Sequence, residues 1–207
     1  MIKVMTPPSE PMTDGQIDKA VDHYRNTLRK HRAEIGSSDA VQRVLSQPEY
    51  LAEQLVVIRR RVEAMADLVV RHVKVNPTRT AQAVFDATGR KQYTDRKVVD
   101  AMPRGEGNEV VYFFKPRPEV YKNGFISDDC LEKEYEFHGF VPADPYSLAA
   151  VNEADPAFAD DYPNVTHWKD AEGKWCYAIF DRWGDERGYR RGGYGWSDVW
   201  WFAGVRK

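Results

Sequence analysis

Lys174-Trp175-Cys176-Tyr177-Ala178-Ile179-Phe180-Asp181-Arg182-Trp183, followed by Ser197-Asp198-Val199-Trp200-Trp201-Phe202-Ala203-Gly204-Val205-Arg206, is the stretch that decides the fold. Alternation assigns Trp175, Tyr177 and Ile179 to one face of a strand, and Cys176, Ala178 and Phe180 to the other. In the last strand Val199, Trp201, Ala203 and Val205 oppose Trp200, Phe202 and Gly204. Both faces are apolar, which requires cover on both sides. Asp170-Ala171-Glu172-Gly173 joins the first of these strands to Val165–Lys169, completing a β meander.

Working outward, the aromatic residues divide the chain. All six tryptophans fall between Trp168 and Trp201, and before residue 110 the aromatic residues are Tyr24, Tyr50, Phe85 and Tyr93. The front half reads as helices. Thr13 and Gln16 have capping-box spacing, and Ile17, Ala20, Val21, Tyr24 and Leu28 share a face until Gly36. Ser37-Ser38-Asp39 offers the next cap. Ser46 and Glu49 repeat the box before Leu51, Leu55, Ile58, Val62, Met65 and Val69, an a/d seam at steps of four and three. Asn76-Pro77 ends that helix. The seam requires a partner, either the preceding helices or a second copy, giving a homodimer through residues 48–73.

Residues 78–101 read as two short helices around a turn. Pro103-Arg104-Gly105-Glu106-Gly107-Asn108 breaks the chain before the strand Glu109–Lys115. Ser127, Asp144-Pro145 and Asp155-Pro156 start short helices. The expected class is therefore α+β: a flexible tail over 1–12, a helical domain over 13–103 packed with an α+β domain over 108–207, and an antiparallel sheet carrying short helices.

The net charge of −2 creates no global attraction to nucleic acid or anionic membrane. It is unevenly spread, with +5 over residues 1–122, −9 over 123–164 and +2 over 165–207. The N-terminus lacks the apolar core of a signal peptide, and no apolar run reaches ~18 residues. With two cysteines, Cys130 and Cys176, no disulfide framework is expected. These features predict a cytoplasmic protein without a membrane partner.

The chemistry-bearing residues match no catalytic or phosphate-binding motif. His23, His31, His72, His138 and His167 form no metal-binding pair, so neither metal nor cofactor is expected. Arg90, Lys91, Arg96 and Lys97 flank the turn of a possible helix-turn-helix, although Phe85 and the long link fit it poorly. Arg187, Tyr189, Arg190, Arg191, Tyr194 and Trp196 interleave cations with rings, a pattern suited to stacking on single-stranded bases or to a protein edge. The favoured expectation is a non-enzymatic binding or regulatory protein contacting a protein or nucleic acid through these surfaces. An alternative is a hydrolase using acids of 128–161 with His138 or His167, for which His167, Cys176, His138 and Asp160 are the candidate catalytic groups. The third is a structural homo-oligomer built on the heptad helix.

Overall fold

The computed structural model describes residues 12–104, 108–182, 184–189 and 195–207. The chain forms two compact units, Met1–Val62 and Glu63–Lys207. The predicted break at 103–108 falls inside the second unit.

In the first unit lie α1 (Asp14–Lys30), α2 (Ser38–Leu45) and most of α3 (Pro48–Ala66). The Thr13/Gln16 capping box forms as expected, with each side chain bonded to the other's backbone N–H. Ser37 caps α2. The Tyr24 and Tyr50 hydroxyls hydrogen-bond to each other, linking α1 to α3.

The predicted third helix stops early. Asp67 adopts a positive φ of 48°, and β1 (Leu68–Lys74) follows. Val69, read as the last seam residue, is fully buried in the sheet instead. Helical spacing and β propensity compete over Leu68-Val69-Val70, and the available strand partner decides between them. β1 lies antiparallel to β3 (Asn108–Phe114), in register from Leu68↔Phe114 to Lys74↔Asn108. The homodimer reading over 48–73 therefore retains only the helical residues of that range.

Between them, α4 (Ala81–Asp86) and α5 (Arg96–Asp100) flank β2 (Gln92–Thr94). Thr80 and Asp95 cap the two helices. The two short expected helices form, six and five residues long, with a three-residue strand in the link between them. β2 pairs parallel with β8, and α5 is only five residues long.

A 3-10 turn (Pro118–Val120) precedes the remaining α-helices and strands, β4 (Phe125–Ile126), α6 (Asp128–Phe137), β5 (Phe140–Pro142), α7 (Pro145–Ala154), α8 (Phe158–Asp161), β6 (Asn164–Lys169), β7 (Trp175–Asp181), β8 (Gly184–Tyr189), β9 (Trp196–Ser197) and β10 (Trp201–Arg206). The main sheet runs β1-β3-β10-β6-β7-β8-β2, with β5 also paired to β10. It is mixed, correcting the antiparallel expectation: β10 pairs parallel with β6, and β8 with β2. These parallel pairs join strands distant in sequence, which local turn signals do not reveal.

The chain is α+β, and both sheet faces are covered. Val69, Val111, Phe113, Ala178, Phe180 and Ala203 share one core cluster with Phe85, Leu148, Val151 and Phe158, drawn from α4, α7 and α8. On the other face, Tyr112, Phe114, Val165, Ile179 and Phe202 meet Leu131 and Tyr135 of α6 and Trp196 of β9. Phe202 and Ala203 thus enter opposite clusters, as the alternation predicts. Within this unit the Arg71 guanidinium is paired with the buried Glu63 carboxylate, which also accepts from the Tyr162 hydroxyl at 3.1 Å.

Candidate functional site: an imidazole between two carboxylates

Ser127 caps α6 by accepting from the Cys130 N–H, which fixes Asp128 at the first helical position. Asp128, Glu132 and Tyr135 recur at intervals of four and three residues, so they share one helical face. β6 presents His167 toward the same face, two residues beyond Val165.

The imidazole is 1% exposed in its side chain. Its Nδ1 lies 3.3 Å from Asp128 Oδ1, and its Nε2 lies 2.8 Å from Glu132 Oε1. Trp175 stacks on the ring at 4.5 Å between centroids, and Tyr135 at 5.6 Å. Asp128 Oδ1 also accepts from Trp196 Nε1 at 2.7 Å. Lys169 sits over the Trp175 ring. The Glu132 side chain is 44% exposed, so the cluster meets solvent there.

Burial alone would lower the His167 pKa. The hydrogen bonds to Asp128 and Glu132, together with their charges, outweigh it and raise the pKa above the ordinary value. Both ring nitrogens donate when the imidazole is protonated, and each then has a carboxylate acceptor. The arrangement is suited to holding a buried imidazolium between α6 and β6. A general base would need a ring nitrogen available to a substrate proton.

His138 lies apart from this cluster. It caps the C-terminal end of α6 against Phe114, Phe137 and Phe140. Burial is the main force lowering its pKa; Glu134 opposes that effect and Arg117 reinforces it. The two histidines therefore oppose one another in pH dependence. His167, with its folded pKa raised, contributes stability that is complete below ~6.5 and lost as pH rises through the folded value. His138, with its folded pKa depressed, contributes stability that is complete above ~6.5 and lost as pH falls through the folded value. His167→Gln is therefore expected to flatten the alkaline decline and spare the acidic one. Urea midpoints measured from about pH 5 to 8.5 check this; an unchanged alkaline slope would contradict it.

The other predicted residues scatter. Cys176 faces the cluster containing Ala178 and Phe180, opposite His167, and donates to Lys174 O. Burial pushes its thiol up to about 11, the reverse of an activated thiolate. Asp160 accepts from Arg90 at 3.1 Å. Arg90 also donates to the Asp181 and Pro156 carbonyls, and its side chain is 12% exposed. It secures the loop before β2 instead of presenting its guanidinium to a partner. Lys91 lies over Tyr93, Lys97 is exposed, and Arg96 is 92% exposed beside Asp100. Trp196 is buried, which removes it from any base-stacking surface. Arg187 and Tyr189 belong to β8, opposite Ala178 and Cys176, and β8 is flanked by β7 and β2 instead of forming a sheet edge. Arg190, Arg191 and Tyr194 lie outside the described residues.

Asp128 and Glu132 both lie in the acidic range 128–161, whose sequence does not single them out as a pair. The available signal was the four-residue interval on the face that also carries Tyr135. Among the described residues no group of three or more His, Cys, Asp or Glu side chains is arranged to hold a metal ion. A cleft of about 330 Å³ between β1 and α7 includes His72, Arg79, Tyr146 and Glu153, none from the His167 cluster. No described helix is long and apolar enough to cross a membrane. Comparison with models of protein families, with curated proteins and with solved structures finds no match.

Proposed function

We propose that this chain is a non-enzymatic protein-binding protein whose N-terminal helices are its docking surface. One observation carries the reading: none of the described residues 12–62 is buried. The α3 seam exposes Leu51 at 67%, Leu55 at 61%, Ile58 at 48% and Val62 at 58%. Ile17, Val21, Tyr24 and Leu28 of α1 are exposed as well. Most helical stability in proteins comes from packing an apolar face, which these helices have yet to do. Large apolar side chains left exposed along one helix face mark an interaction site.

The test compares the full chain with a Leu55→Asp/Ile58→Asp variant by sedimentation and by hydrophobic-dye fluorescence. The full chain is expected to show either a mass above one chain or several-fold more dye binding, and the variant neither. A one-chain mass with equal dye binding in both proteins would overturn the reading.

The enzymatic alternative draws on the joining of His167 with Asp128 and Glu132. The stacked rings and the engagement of both imidazole nitrogens favour a positioning role over proton transfer to a substrate. The basic surface of a nucleic-acid reader draws less support, since Arg90 and Trp196 are engaged inside the fold.

A further inference from the structure

Resting on that reading, we infer that the occupant of the seams is a second copy of this chain, paired antiparallel through α3. Leu51, Leu55, Ile58 and Val62 follow steps of four, three and four, the 3.5-residue period that packs best against another helix of the same period. A second copy supplies that period. Antiparallel pairing about the point between Val56 and Val57 sets Leu51 against Val62 of the second copy, and Leu55 against Ile58. Each layer then joins an a position to a d position.

Charge selects this direction. Glu49 and Glu53 lie in the N-terminal half of α3, and Arg59, Arg60 and Arg61 in its C-terminal half. Parallel pairing would gather both arginine triplets at one level. Antiparallel pairing separates them and brings each to the end that carries the other copy's Glu49 and Glu53. α1 has the same polarity, from Asp14, Asp18 and Asp22 to Arg25, Arg29 and Lys30.

Area then decides how much of the unit takes part. With about 100 Å² of apolar surface per seam residue, α3 alone offers roughly 400 Å² per copy. A standard interface needs about 800 Å² per partner. Ile17, Val21, Tyr24 and Leu28 supply a comparable second seam, so α1 of each copy joins the contact. The assembly is a bundle of helices from two chains.

The experiment uses the full chain. Sedimentation equilibrium measures its mass, and Leu51→Cys and Val62→Cys proteins, each carrying Cys130→Ser, are mixed in a glutathione redox buffer. Near-ultraviolet circular dichroism checks folding, because every tryptophan lies in Glu63–Lys207. The expected result is a two-chain mass and a 51–62 mixed disulfide several-fold more abundant than either symmetrical one. In antiparallel pairing, two cysteines at position 51 stand about 16 Å apart along the axis, beyond disulfide reach. Predominant 51–51 and 62–62 disulfides would overturn the antiparallel pairing while leaving the docking surface. A one-chain mass with strong dye binding would overturn self-pairing and leave the surface to a different protein. A one-chain mass without dye binding would remove both the inference and the reading beneath it.

Discussion

Arg71→Met is expected to destabilise the Glu63–Lys207 unit by about 3–5 kcal/mol, because removing one member of a buried ion pair leaves an uncompensated charge. The Glu63 side chain is 6% exposed and that of Arg71 15%, so water screens neither well. Arg71 also lies over the Phe158 ring at 4.8 Å and donates to the Val70 carbonyl. Methionine fills much of the space without supplying charge. The Tyr162 hydroxyl would remain bonded to Glu63 and compensate only part of the loss. Adding Glu63→Gln to Arg71→Met should recover a measurable fraction, since the stranded charge is then gone. Urea unfolding followed by tryptophan fluorescence measures both variants. A loss below about 1 kcal/mol for Arg71→Met would place this pair among ordinary surface ion pairs.

Asp128→Ala is expected to cost about 3 kcal/mol, because it strands two buried donors together. Trp196 Nε1 loses the carboxylate it donates to, and His167 Nδ1 loses its carboxylate while Nε2 keeps Glu132. The first turn of α6 also loses a negative charge favoured at a helix N-terminus. Asp128→Asn keeps an oxygen for the indole and removes the charge, so its cost should lie between wild type and alanine. The same unfolding experiment ranks the three proteins. An alanine variant as stable as wild type would contradict the role assigned to this cluster.

The local chemistry was legible where a segment determines its own structure. Thr13 with Gln16, Ser127, and Asp144 before Pro145 start helices through side chains that accept their own backbone N–H groups. The β6–β7 hairpin forms because Asp170 accepts from the Glu172 and Lys174 N–H groups while Gly173 takes a positive φ of 76°. The tertiary choices were hidden. Leu68–Lys74 follows a helical apolar pattern, yet becomes a strand because β3 is available 40 residues later. Neither parallel pair in the sheet carries a local marker. The His167 cluster was visible only in part, since its spacing along α6 could be read while the approach of β6 could not. Arg90 illustrates the converse: beside Lys91 it resembles a binding surface, and only its contacts with Pro156, Asp160 and Asp181 assign it to the fold. The α3 seam kept its sequence meaning through Val62. Of the two partners left open for it, the preceding helices leave its residues exposed, although the Tyr24–Tyr50 hydrogen bond ties α1 to α3.

Side-by-side sedimentation and dye binding of the full chain and its Leu55→Asp/Ile58→Asp form test the docking surface most directly. The account predicts that the wild-type chain either sediments above one-chain mass or binds several-fold more dye, and that two aspartates abolish the difference without altering the tryptophan signal. Identical masses and identical dye fluorescence for the two proteins would contradict it.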